Sequence, residues 1–382
     1  MDASFETGGQ VHDVPDGTAH FLEHMAFETD QGNALALFAR LGVRGNAFTS
    51  SVATAYYFTG TDNFWPALRR LVELVAVSRL TPKGVEAERR VIAQEIRMYE
   101  DSPASRLQER LLEALYAVHP IRRSIAGTLE SVEGITPDGL RRCHATFYHP
   151  SNLVFVAAGD LDPERVFDAV EGEMDRLGVA KPGEPFRRLV PDEPLLPASA
   201  RTVTTMPVKR PSFVLGWKDR PFGEDRPEAL FRREVDVSLL ADVVFGPTSG
   251  LFNDLYRAGL IDESFSVRYA SGSTFAHAVA GGTTRDADLV SERLLEGISR
   301  WRQKGITWPE LQRKRRKAHG QFVGLFDSLE GMATLFLMYR LKGINLFSYP
   351  DVLETTRLEE VNRAFGELFA PERVTVATVT PG

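Results

Sequence analysis

The sequence predicts a two-domain protein of mixed helix and strand. Three observations carry this expectation. The first is size: 382 residues, 43% hydrophobic and 25% charged, are enough for two cores of ordinary domain size. The second is a proline-rich break, residues 181–198, where Pro182, Pro185, Pro191, Pro194 and Pro197 remove backbone donors and stiffen the chain into a linker. It separates two nearly equal parts, 1–180 and 199–382. The third is that each part mixes strand-like and helix-like segments in similar order. This is a weak internal duplication whose long period excludes a short-repeat solenoid.

Taken in order, the elements read as follows. A helix begins at Asp16-Gly17-Thr18, with Asp16 or Thr18 as its cap. Asn46–Thr61 has strand character through Phe48, Val52, Ala53, Tyr56, Tyr57 and Phe58, residues that fit a pleated surface. Thr81-Pro82 opens a charged helix. Leu140–Tyr148 is a helix carrying the one cysteine, Cys143. A lone cysteine forms no disulfide within its chain, and it reads as a buried, inert thiol. Leu153–Ala158 reads as a buried strand ending at Gly159-Asp160, and Asp162-Pro163-Glu164 opens the next helix. In the second part, Ser212–Trp217 and Val374–Val379 read as strands. Ala229–Phe245, Asp286–Gln303 and Trp308–Phe322 read as helices.

A formal net charge of −7 argues against nucleic acid or an anionic membrane as a standing partner. No apolar run is long enough to span a bilayer. The first residues lack the basic and apolar regions of a signal peptide, so a cytoplasmic protein is expected.

The chemistry is concentrated in His20-Phe21-Leu22-Glu23-His24. On a helix, His20 and His24 project from one face with Glu23 beside them. The spacing is H-x-x-E-H, the inverted form of the zincin helix. Two neutral imidazoles can hold Zn²⁺ at about 2.0–2.1 Å, and a carboxylate next to them can serve as a base without closing the metal site. Phe21, Leu22, Met25, Ala26 and Phe27 make the helix apolar nearly all round, so it should be buried. The plainer alternative is a pair of core histidines and a paired Glu. A catalytic zinc needs a third protein ligand. The helix after Thr81 offers one along the stripe Val85, Glu88, Ile92, Glu95, Tyr99, with Lys83, Glu86, Arg89, Arg90 and Arg97 on its other faces. Acids among apolar neighbours need a metal or a partner.

Together these residues resemble the pitrilysin, insulysin and mitochondrial processing peptidase family of inverted zincins. Pro15-Asp16-Gly17-x-Ala19-His20-Phe21-Leu22-Glu23-His24 is most similar to its bacterial YmfH-type branch. The family pairs its metal helix with a later helix carrying two Glu seven apart, matched by Glu88 and Glu95. Further likeness lies in residues 95–103, in Asn46-Ala47-Phe48-Thr49-Ser50, in His119-Pro120, and in residues 126–131 and 147–152. The resemblance implies an α+β fold of two homologous α/β domains, each an antiparallel sheet backed by helices. It implies Zn²⁺ held by His20, His24 and Glu95, with Glu88 orienting a ligand. Glu23 is implied as the catalytic base that moves a proton from water to the leaving amine. Asn46, Ala47, Phe48 and Thr49 are implied as an edge strand that takes an extended peptide substrate. The expected function is a zinc metalloendopeptidase that hydrolyses extended or unfolded peptides inside a closed chamber. The rival is a catalytically silent peptide-binding or structural subunit. Such relatives have usually lost a zinc residue, whereas His20, Glu23, His24 and Glu95 are all present here.

Two departures from the family pattern bear on these expectations. Nineteen residues precede His20, where family members carry additional strands. Either an edge of the first sheet is missing or the natural start lies upstream of Met1. In the second part, many members carry an Arg and a Tyr beside the zinc, and here Tyr256 and Phe265 align with them. A phenyl ring cannot donate a hydrogen bond, and Arg257 would point about 100° away from its neighbour on a helix. The resemblance then implies a related subunit supplying that pair in a heterodimer, or a homodimer that manages without it. His12, His119, His144, His149, His277 and His319 show no metal spacing. The basic run from Arg313 to Lys317 reads as a solvated helix face.

Overall fold

The computed structural model describes residues 3–29, 32–179, 185–223 and 226–382. Its elements begin with β1 (Ser4–Thr7), β2 (Gln10–Asp13), α1 (Thr18–Ala26), β3 (Glu28–Thr29), β4 (Gly32–Asn33), α2 (Ala34–Arg40), β5 (Arg44–Thr49), β6 (Thr54–Thr59), α3 (Phe64–Ala76), α4 (Pro82–Asp101) and α5 (Pro103–Leu115). They continue through α6 (Leu129–Glu133), α7 (Pro137–Phe147), α8 (Pro163–Arg176), β7 (Phe186–Arg188), β8 (Arg201–Met206), β9 (Ser212–Asp219), α9 (Pro227–Phe245) and α10 (Gly250–Arg257). The last are β10 (Ser266–Ser271), β11 (Ala276–Thr283), α11 (Ala287–Lys304), α12 (Trp308–Gly324), α13 (Leu329–Leu341), α14 (Tyr349–Glu354), α15 (Leu358–Leu368) and β12 (Val374–Pro381).

These elements fall into two compact units: Met1–Met98 with Arg123–Val190, and Tyr99–Arg122 with Pro191–Gly382. A single boundary in the proline-rich segment does not describe this division, because α5 packs in the second unit. Residues 181–184 of that segment lie outside the described residues. Phe186–Arg188 is not linker but β7, paired antiparallel with β1; no proline falls within it to deny the ladder a donor. Farther on, Glu193 accepts hydrogen bonds from the backbone N–H groups of Ala117, Val118 and His119 and from Lys218 Nζ at 2.5 Å. This part of the segment is therefore anchored in the second unit.

In the first unit, α1 and α4 bury Phe21, Leu22, Met25, Val85, Ile92 and Ile96 in one core with Phe5, Leu140 and Cys143. Burial pushes the Cys143 thiol up to about 11, which keeps it protonated and inert. A smaller core joins Phe38 of α2, Val43, and Ala67 and Leu74 of α3. The strands form the sheet β2-β1-β7 and the ribbons β3-β4 and β5-β6. Asn46–Thr61 is thus not one strand but a hairpin, turned at Ser50, whose N–H donates to Ala53 O at 2.8 Å. Leu153–Ala158 is a correction: it forms no strand, and it is partly exposed rather than buried. A strand is defined by its ladder, and among the described residues no neighbour pairs with this apolar run.

The second unit holds a five-stranded sheet, β10-β11-β9-β12-β8, antiparallel except for the β12–β8 pair. Central strand β9 is buried along nearly its whole length, hence its unbroken apolar run. Phe213, Leu215 and Trp217 enter the main core with α9 and α15. Val214 faces Leu111 and Leu115 of α5. Gly216 permits that approach, since a Cβ there would lie 2.8 Å from Leu111. Helices α9, α11 and α12 appear where the pattern placed them. Asp286 caps α11 through Leu289 N, and Thr307 and Glu310 form a capping box on α12.

Candidate metal centre

α1 is positioned at its start by backbone rather than by a side-chain cap. Neither Asp16 nor Thr18 caps it. The cap residue is Gly17 at φ 90°, with no side-chain cap hydrogen bond. That conformation suits glycine alone, and a Cβ on Gly17 would meet Ala126 O at 2.6 Å. Asp16 instead pairs with Arg123 at 2.8 Å, and the Thr18 hydroxyl donates to Pro15 O at 2.6 Å. Ser131 Oγ donates to Asp16 O at 2.9 Å. The segment 126–131 thus braces the turn that starts the helix.

α4 presents Val85, Ile92 and Ile96 to the core. The inward stripe departs from expectation at its end: Tyr99 is 38% exposed and Ile96 takes the inward place, because 3.6 residues per turn carry position 99 off the face. Arg89, expected off the inward stripe, reaches the carbonyls of Val132, Glu133 and Ile135, tying α4 to the loop after α6.

Between these helices the predicted ligands converge. Glu95 Oε2 lies 3.7 Å from His20 Nε2 and 3.4 Å from His24 Nε2. Donors held about 2.1 Å from a tetrahedral zinc lie about 3.4 Å apart, so this donor set fits such an ion. Two imidazole nitrogens and one carboxylate also match zinc's preferences and leave a fourth position open. Among the described residues this is the one group of three metal-capable side chains so placed.

Glu88 Oε1 sits 2.7 Å from His24 Nδ1. An ionised carboxylate only accepts, so Nδ1 carries the proton and Nε2 presents its lone pair toward Glu95. This hydrogen bond raises the His24 pKa. Burial, then the neighbouring His24, lowers that of His20, which favours the neutral ligand form. His20 Nδ1 is buried with no hydrogen-bond partner among the described residues, so none of them selects its tautomer from that side. A cation on Nε2 would.

Glu23 lies on α1 between the two histidines. Burial, the largest influence, raises its pKa. Its Oε2 accepts a 2.5 Å hydrogen bond from the Thr49 hydroxyl. Thr49 also lies 3.2 Å from Thr54 across the hairpin. Of the remaining edge residues, Asn46 donates to Tyr57 OH at 3.1 Å and accepts from Ala47 N at 2.9 Å, and Phe48 packs edge-on against Tyr57. Reasoning from sequence missed Thr54, Tyr56 and Tyr148 behind Glu23. The Thr49 to Thr54 spacing across a short turn was their one available signal.

In the second unit, Tyr256 is exposed and stacks on Phe252. Phe265 packs against Phe213 and Phe252, so its ring belongs to an apolar cluster. Arg257 is exposed.

Known proteins share this arrangement of sequence and fold. Residues 7–129 match the family model Insulinase (Peptidase family M16), and residues 134–318 match Peptidase M16 inactive domain. The chain is 36% identical to a Bacillus subtilis protein named uncharacterized zinc protease YmfH, over 97% of this chain and 86% of that one. It is 22% identical to zinc protease PqqE of Helicobacter pylori, over 100% of this chain and 87% of that one. A crystal structure described as that of an M16-like peptidase from Alicyclobacillus acidocaldarius superposes with a TM-score of 0.95 at 36% identity, covering 100% of this chain and 90% of that one.

Proposed function

The chain belongs to the insulinase family, peptidase family M16, and on that premise we propose that it is a zinc metalloendopeptidase acting on extended peptides. The observation that carries the reading is the convergence of His20 Nε2, His24 Nε2 and Glu95 Oε2 on one point beside a carboxylate, Glu23, that is not needed as a ligand. When bound there, zinc would act as a Lewis acid, polarising the scissile carbonyl and acidifying water. Glu23 takes a proton from the water that attacks the carbonyl carbon. As the C–N bond breaks, it returns the proton to the leaving amine. Glu88 keeps His24 in the tautomer that ligates. The edge at Asn46, Ala47, Phe48 and Thr49 receives the peptide as an added strand, reading its backbone more than its side chains.

Tyr256 stands where the family places a guanidinium beside the zinc, and Phe265 where it places a phenol, so neither position carries its usual group. On this reading a related subunit contributes that pair, and the two close a chamber around the peptide. The test is zinc content together with hydrolysis of a quenched peptide library, on this chain alone and mixed with a related subunit encoded nearby. One zinc per chain, with hydrolysis only in the mixture, is expected. One zinc and no hydrolysis in either sample would favour a silent binding subunit. Glu23→Gln should keep its zinc and lose turnover by at least about 100-fold, the scale of a general base; a zinc-loaded variant that still cleaves would remove Glu23 from the role.

A further inference from the structure

Behind Glu23 lies a line of hydroxyls. Thr49 and Thr54 face each other in the β5–β6 register, with Oγ1 atoms 3.2 Å apart. Farther from Glu23, Tyr148 OH lies 2.7 Å from Tyr56 OH. Each hydroxyl has one proton to give, and an ionised carboxylate has none. Because Thr49 must donate to Glu23, it can only accept from Thr54. Both threonine protons point toward Glu23, and such a chain is mutually polarising. No hydrogen bond is formed by Glu23 Oε1 among the described residues. The ring of Tyr148 is itself held, stacked on His144 at 4.7 Å, whose Nε2 lies 3.1 Å from Val75 O.

We propose that Thr49 is a positioning residue for the general base: it holds Glu23 Oε2 as a fixed acceptor, so that Oε1 alone takes and returns the proton. This rests on the metallopeptidase reading above. It differs from a role for Thr49 in binding peptide, which would act on KM.

The experiment compares Thr49→Val, which removes the hydroxyl at nearly constant volume, with Thr49→Ser, which keeps it. In the zinc-loaded protein mixed with the related subunit, Thr49→Val should lower kcat about 10–100-fold, the cost of a catalytic group misplaced by about an ångström. KM should change by less than about twofold, zinc content should stay at the wild-type level, and Thr49→Ser should recover most of the loss. A second readout needs no turnover: in crystals of the substrate-free protein, the Glu23 carboxylate should leave its wild-type orientation in Thr49→Val and keep it in Thr49→Ser. Wild-type kcat in Thr49→Val, a rise in KM alone, a Ser variant as impaired as Val, or an unmoved Glu23 would each overturn the proposal. Thr49→Ala carries the same comparison if the valine variant does not fold. If the wild-type protein cleaves no peptide even when mixed with the related subunit, the peptidase reading fails, while the orientation of Glu23 in the crystals still decides the role of Thr49.

Discussion

Glu88 and Glu95 are the same residue type on the same helix, two turns apart, and their surroundings assign them different tasks. Glu95 faces both Nε2 atoms at 3.4–3.7 Å, the spacing of co-ligands. Glu88 meets Nδ1 at 2.7 Å, the distance of a charge-assisted hydrogen bond. Removing Glu88 should leave the ligand set complete and its orientation loose. Glu88→Ala is expected to weaken zinc binding by about 10–100-fold with the fold intact, as read by chelator competition and circular dichroism. Unchanged affinity would show that His24 needs no such partner. Spacing made this pair visible, because seven residues are two helical turns. It could not say which acid ligates, since both lie on one stripe.

At the level of elements, α1 depends on a contact that periodicity cannot show. Gly127 sits at φ +80°, and a Cβ there would lie 2.5 Å from Asp16 O and 2.7 Å from Ser131 Oγ. The first of these is backbone and cannot move aside without moving the start of α1. Gly127→Ala should therefore destabilise the protein by about 2–4 kcal/mol, combining a left-handed residue with overpacking. The shift in urea midpoint at constant slope checks this, and a change below about 0.5 kcal/mol, the scale of an inert surface substitution, would contradict it. The residues around Gly127 were recognisable as a family landmark. Their purpose was not, because the contact joins positions more than a hundred apart in sequence.

For the whole molecule, the main core of the second unit contains one group that sets a dependence on pH. Asp236, on α9, is 5% exposed, and its Oδ1 has no partner among the described residues. Burial first, and Glu360 second, push its carboxyl up to about 7. In the unfolded chain it would titrate near about 3.9. Between these values the native state binds the extra proton, so stability falls as pH rises. Its contribution is fully present below about pH 4 and lost on passing pH 7. It amounts to a few kcal/mol at most, since a tenfold change in proton affinity is worth about 1.4 kcal/mol. The margin by which Asp236→Asn exceeds wild type in melting temperature should grow from pH 5 to pH 8. A difference that does not grow across that window would show that Asp236 is ionised in the native core throughout.

Much of the chemistry was legible in the chain itself. H-x-x-E-H places two imidazoles and a carboxylate on adjoining helical positions, and a later helix with acids seven apart supplies the rest. These are local geometries set by 3.6 residues per turn, so they survive without knowledge of the fold. The helices of the second unit were legible for the same reason. What needed the tertiary structure were matters of pairing between distant residues. The lone run Leu153–Ala158 looked like a strand, but a strand exists only with a neighbour. The segment from Tyr99 to Arg122 belongs with residues beyond Pro191, a choice made by packing against β9. Glu23 could be named from its spacing, while the hydroxyl that bonds it comes from a hairpin 26 positions away. Local periodicity determined which groups share the faces of α1 and α4. Only the closure of distant contacts decided how those groups are held.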